Sequence, residues 1–271
     1  VISKFNKKII KKFPELKDIK SKKFAEDFLK NLNEMKIRNY FSEIKNILGR
    51  DIFGQGFLYR IIDNDEIMDE SKITEHQKLH GLKNDKKIYV KYDKGDKDGN
   101  RWLNVTPYYI NWSEKSVDKL KSSELARWQG YDFFLKEGFS WSDIHTTYLK
   151  SRIKESSIHD VKSMSLFSIN DKISNGYLVS LINSKFISEF QQDFLNNTSS
   201  FQINDARKIP VIVPDNKTKK EFGKIFKSAL EIKKKFFENK ISIDVHDSEL
   251  FKIESLNDKL VENLYLNHKI N

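Results

Sequence analysis

Apolar side chains recur at helical spacing near both ends of the chain and alternate with polar ones in the middle. Phe24, Phe28, Leu32 and Met35, then Phe41, Ile44 and Leu48, are three to four residues apart and stop at Gly49. That spacing predicts amphipathic helices over residues 1–49. From Gly54 to Tyr92 short apolar runs alternate with polar turns, and residues 86–92 show the period of two expected of a strand. Gly95, Gly99 and Asn100 predict a tight loop, followed by an extended piece over 102–112 broken at Pro107. Leu178, Ile182, Phe186, Phe190 and Phe194 then recur every fourth residue, with Val179 and Ile187 widening the stripe. This predicts one amphipathic helix. Residues 209–213, with Pro210 and Pro214 near the two ends, read as a short strand. Two further stripes, Phe222 to Phe236 and Leu250 to Leu264, predict a helical hairpin at the C-terminal end.

The expected fold class is therefore α+β, in three parts. A basic helical lead covers 1–49, a mixed domain 50–215, and a helical hairpin 216–271. No internal repeat and no low-complexity tract interrupts them.

Charge changes this picture in one place. The 271 residues carry 49 Lys and Arg against 39 Asp and Glu, a net +10. The first 50 residues hold 14 basic and 6 acidic side chains, so they account for +8. A polyanionic partner suits that balance, although a run such as Lys7, Lys8, Lys11 and Lys12 also serves simply to solvate a helix. With no cysteine, disulfides, thiol nucleophiles and Cys-bound zinc are excluded. No apolar run reaches membrane-spanning length and no signal-peptide core opens the chain. A soluble protein of a bacterial or archaeal cytoplasm is expected.

The catalytic constellations sought in the sequence are missing or incomplete. The four prolines are never adjacent, so the Asn/Asp-Pro-Pro-Tyr/Phe motif of adenine methyltransferases is absent; Thr106-Pro107-Tyr108-Tyr109 lacks its leading amide or carboxylate. Gly54-Gln55-Gly56 lacks the third glycine of a cofactor loop and reads as a turn. Pro214-Asp215, Glu221 and Lys224 have a nuclease-like composition, but the Glu-to-Lys gap is too long and the segment enters a helix. His76 and His80 would share a helical face beside Glu75, yet no third ligand accompanies them, so a solvated surface pair is expected. His145, His159, His246 and His268 stand apart, and no Gly-x-Ser-x-Gly elbow is present. The chain reads as non-catalytic, with no cofactor of its own.

Four blocks remain distinctive: YVKYDKGDKDGNRW leading into TPYYINW, then FFLKEGFSWSDI, LINSKFISEF, and SSFQINDARKIPVIVP. In this order and spacing, over roughly residues 50–215, they resemble the C-terminal specificity region of adenine-specific DNA methyltransferases. The similarity is to the TaqI-like and Eco57I-like restriction-modification group and related phage-defence enzymes. The resemblance implies a target-recognition module that grips double-stranded DNA while partner domains do the chemistry. Those methyltransferase and nuclease domains, with S-adenosylmethionine and, where a nuclease is present, magnesium, would belong to the parent enzyme; a chain opening on Val1 fits a piece of one. The rival expectation is a scaffold that docks on the catalytic domains and has little DNA specificity.

Residue roles follow from side-chain chemistry. Arg101, Arg127, Arg152 and Arg207 are planar donors suited to guanine or to a phosphate clamp. Asn100, Asn104, Gln129 and Gln202 suit adenine edges. Lys91, Lys94, Lys97, Lys136 and Lys162 suit phosphates as point charges. Trp102, Trp112, Trp141, Phe133, Phe134 and Phe201 are expected to build the core that holds this frame, and Phe201, Gln202 and Asp205 to fix a turn.

Overall fold

A computed structural model describes residues 64–83, 86–96, 99–105, 108–123, 128–142, 148–160 and 163–267, together with the isolated positions 11, 14 and 62. The chain divides into two compact units, Val1–Ile67 and Met68–Asn271. The expected helical lead, Gly54-Gln55-Gly56, and the candidate residues Lys97, Arg127 and Lys162 lie outside the described residues. The architecture is α+β, and the elements that follow all belong to the second unit.

Two small sheets sit at its centre. In the first, β1 (Tyr89–Asp93) pairs antiparallel with β2 (Tyr109–Asn111) and parallel with β5 (Ile158–His159). In the second, β3 (Gly138–Ser142) lies between β4 (Ser151–Lys154) and β6 (Ser163–Leu166), antiparallel to both. Val90, Trp112, Val117, Phe134 and Ile158 form the core beneath the first sheet. Trp102, Trp141, Phe201, Phe222, Ala229 and Val261 belong to a larger core that joins the second sheet to the C-terminal helices. The aromatics expected to hold the frame do so, except that Phe133 is only half-buried.

Side-chain oxygens define where helices begin. Thr74 caps α1 (Glu75–His80) in a reciprocal box with Gln77, and Ser113 caps α2 (Glu114–Ser122). Ser174 caps α3 (Asn175–Ile182) and Ser184 caps α4 (Lys185–Phe190). After α5 (Ile203–Ala206), Asp215 caps α6 (Asn216–Phe237) and Ser242 caps α7 (Ile243–Leu266). Helices α6 and α7 pack together as the expected hairpin.

Two expectations need correction. The single helix over 178–194 is instead α3, a break at Asn183 and Ser184, α4, and a π-helical turn Gln191–Leu195. Asn183 makes the break useful: its side chain accepts from Ser151 N at 2.7 Å and donates to Ser151 O at 2.9 Å, clamping β4. The π-helical turn ends the stripe, and Phe194 is left 76 % exposed. Residues 209–213 are not a strand. Pro210 has no N–H to give a ladder, and the segment's carbonyls are taken by tyrosines: Tyr177 Oη donates to Ile212 O at 2.7 Å and Tyr265 Oη to Pro210 O.

Candidate nucleic-acid interface

Helix α6 carries eight lysines and two glutamates, whereas α7 carries six carboxylates and two lysines. Phe222, Ala229 and Lys233 are the buried side of α6. At 100° per residue, Lys217, Lys220, Lys224, Lys227 and Lys234 fall within one arc on the opposite side, and all five are exposed. The stripe is about 25 Å long at 1.5 Å per residue. Glu231 lies within the same arc but is engaged by Lys235 at 2.6 Å. Among the described residues, Lys220, Lys224 and Lys227 have no ion-pair partner. Such a row is a solvated face by default. What distinguishes this one is where it ends.

Lys234 also lines a cavity of about 380 Å³. Three candidates from the sequence, Lys91, Asn104 and Arg152, line the same cavity, although 61 residues separate the first from the last. Strand β1 contributes Lys91 and Asp93; β4 contributes Arg152 and Lys154, two apart and hence on one side of the strand. Arg152 and Lys154 are each only 2 % exposed. Arg152 Nη2 donates to Ser163 Oγ at 3.2 Å and stands 3.6 Å from Asp93, whose other oxygen accepts from Ser163 Oγ at 2.6 Å. Burial therefore makes Arg152 unable to reach into a DNA groove, contrary to the role of base reader; its place is the cavity wall. Lys91 meets Glu155 at 3.1 Å. Burial works against its ammonium, but the hydrogen bond and charge of Glu155 outweigh that and raise its pKa.

Lys154 went unrecognised in the sequence. Its ammonium donates to the carbonyls of Ser157 at 2.8 Å, Lys136 at 3.3 Å and Glu155 at 3.4 Å. Burial pulls its pKa down to about 8, against a smaller opposing pull from Asp93. The one sequence signal was the period of two in Ser151-Arg152-Ile153-Lys154, which puts both cations on the same side of a strand.

The remaining candidates are scattered. Arg101 faces inward, 2.8 Å from Glu254, and also donates to Asn183 O. Asn100 accepts from Lys233 Nζ at 2.7 Å. Both side chains are spent on tying residues 100 and 101 to the C-terminal hairpin. Lys94 sits over the Tyr108 ring and Lys136 over that of Phe133. Gln129, Gln202 and Arg207 are exposed. The carboxylate of Asp205 accepts from Gln202 N and Asn196 Nδ2, both at 3.0 Å, and so fixes the turn expected of that block. His76 and His80 are exposed on α1 with their rings stacked at 4.5 Å. No helix among the described residues is long and apolar enough to cross a membrane. No protein-family model matches the chain, and no curated protein is significantly similar to it.

Proposed function

We propose that this chain binds double-stranded DNA as the target-recognition part of a restriction-modification or related defence enzyme, with adenine methylation carried out by partner catalytic domains. The observation that carries this reading is the exposed lysine stripe on α6. Its length of about 25 Å matches roughly seven base-pair steps of about 3.4 Å. Lysine is the side chain expected where phosphate is gripped without sequence readout. The net +10 of the whole chain supports the same partner. Arg207 and Gln129 are exposed groups suited to reading bases, and the four-block resemblance supplies the restriction-modification context.

The test is binding of the chain to labelled duplexes of random sequence by fluorescence anisotropy, as a function of salt. Because the three lysines are exposed, K220Q/K224Q/K227Q should melt like the wild type. It should bind at least tenfold more weakly on every duplex, and the slope of log affinity against log salt should fall by about two to three. Unchanged affinity and slope would overturn the reading. Selection from a randomised duplex pool then reads specificity. One enriched motif, lost in R207A while random-duplex binding persists, supports the recognition role; binding without enrichment reduces it to a phosphate grip.

A further inference from the structure

The cavity at the end of the lysine stripe contains more positive charge than its own carboxylates neutralise. Lys91 is matched by Glu155, Arg152 by Asp93, and Lys234 acts electrostatically on Glu238, which is also in the lining. Lys154 is left over. No carboxylate of the described residues stands within ion-pair distance of its ammonium, which donates to three carbonyl oxygens and lies 5.4 Å from the centre of the Phe167 ring. Next to it, Arg152 Nη1 is fully buried and has no hydrogen-bond partner among the described residues. A buried cation with no carboxylate in contact, only the weaker pull of Asp93, and a buried N–H without an acceptor are both costly. Both residues line one cavity from same-side positions of one strand, so an oxyanion bound there would meet two buried cations.

Size and lining narrow the class. At about 380 Å³ the cavity lies in the range of small-molecule sites, well beyond what one small ion fills. The wall includes Tyr109, whose ring offers a face for stacking, and Asn104, whose amide can both donate and accept. Leu103 and Ile153 add apolar surface. We infer that this cavity is a binding site for a phosphate monoester of mononucleotide size, with Arg152 and Lys154 taking the phosphoryl group and Asn104 and Tyr109 the attached base. The site goes beyond the duplex grip, because it takes one terminal phosphate and not a continuous backbone. A phosphate monoester can arrive as a free nucleotide or as the 5′ end of a DNA strand.

Calorimetric titration with inorganic phosphate, adenosine 5′-monophosphate and adenosine tests the site, alongside anisotropy on duplexes with and without a 5′-phosphate. The expected result is one adenosine monophosphate per chain, bound at least tenfold more tightly than inorganic phosphate, and no binding of adenosine. R152K keeps the charge but loses the forked donor, and should weaken the nucleotide at least tenfold. K91M alters a half-exposed position and keeps the test valid should R152K melt early; it should weaken binding two- to fivefold. A preference only for the 5′-phosphorylated duplex assigns the same site to a strand end. The proposal fails if no phosphate monoester binds, or if neither R152K nor K91M changes the binding. Duplex affinity that falls in K220Q/K224Q/K227Q while nucleotide binding stays intact separates this site from the stripe.

Discussion

The indole Nε1 of Trp102 donates a 2.9 Å hydrogen bond to Glu254, a residue 152 positions further along. Trp102 holds a left-handed backbone, φ 69°, which bulky side chains rarely adopt. Its N–H donates to Ser151 O at 2.8 Å and its carbonyl accepts from Ile153 N at 3.0 Å, so β4 holds the residue in place. Glu254 completes the hold and also pairs with Arg101 at 2.8 Å. One carboxylate on α7 thus locks the loop that leads to Leu103 and Asn104 in the cavity wall.

Removing that carboxylate should be felt strongly. E254A leaves the indole N–H without its acceptor and the Arg101 guanidinium without its counter-charge; burial already pulls the Arg101 pKa down. With both partners of the ion pair about 20 % exposed, the expected loss is about 2–3 kcal/mol, below the cost of a fully dry pair. E254Q keeps an acceptor for the indole and should lose about half as much. Urea unfolding of the three proteins measures both values.

Two glycines should respond in opposite directions. A Cβ on Gly138, the first residue of β3, would lie 2.6 Å from the carbonyl oxygen of Leu166. Strand β3 is paired on both sides and cannot move away, so G138A should cost roughly 1–3 kcal/mol. Gly223 lies inside α6 with nothing within 4 Å of the added methyl. G223A should therefore gain about 0.8–1 kcal/mol from helix propensity alone. Thermal melts of the two variants should shift down and up respectively.

His159 gives the fold an acid sensitivity. Burial, helped by the charge of Lys154, lowers its pKa to about 4, from 6.5 in the unfolded chain. Between those values the unfolded state binds the proton and the folded state does not, so stability falls as pH drops from about 6.5 toward 4. The expected contribution is about 2–3 kcal/mol. The ring sits edge-on to Phe134 at 5.0 Å and against Gly130, so H159F preserves an aromatic filling. The difference in unfolding free energy between wild type and H159F should be constant above pH 7 and grow in favour of the variant below pH 6. A constant difference down to pH 4 would show that His159 protonates in the folded state.

Residue type and spacing alone determined the local features of this protein. The α6–α7 hairpin stripes and the buried tryptophans were legible because each depends on residue type or on a fixed helical period. The lysine stripe of α6 is written in the same helical spacing, but it lies outside the 50–215 blocks that carry the family resemblance. Tertiary structure decided what residues far apart in sequence do to one another. It broke the 178–194 helix where Asn183 clamps Ser151, and it supplied tyrosine hydroxyls to 209–213 in place of a neighbouring strand. It also turned Arg101 toward Glu254 and Arg152 toward Asp93. The physical reason is that burial and pairing of a charge depend on which strands and helices meet it, and those meetings span 60 to 150 residues of chain. The period of two could place Arg152 and Lys154 on one side of a strand; only the packed sheets closed a cavity beside them.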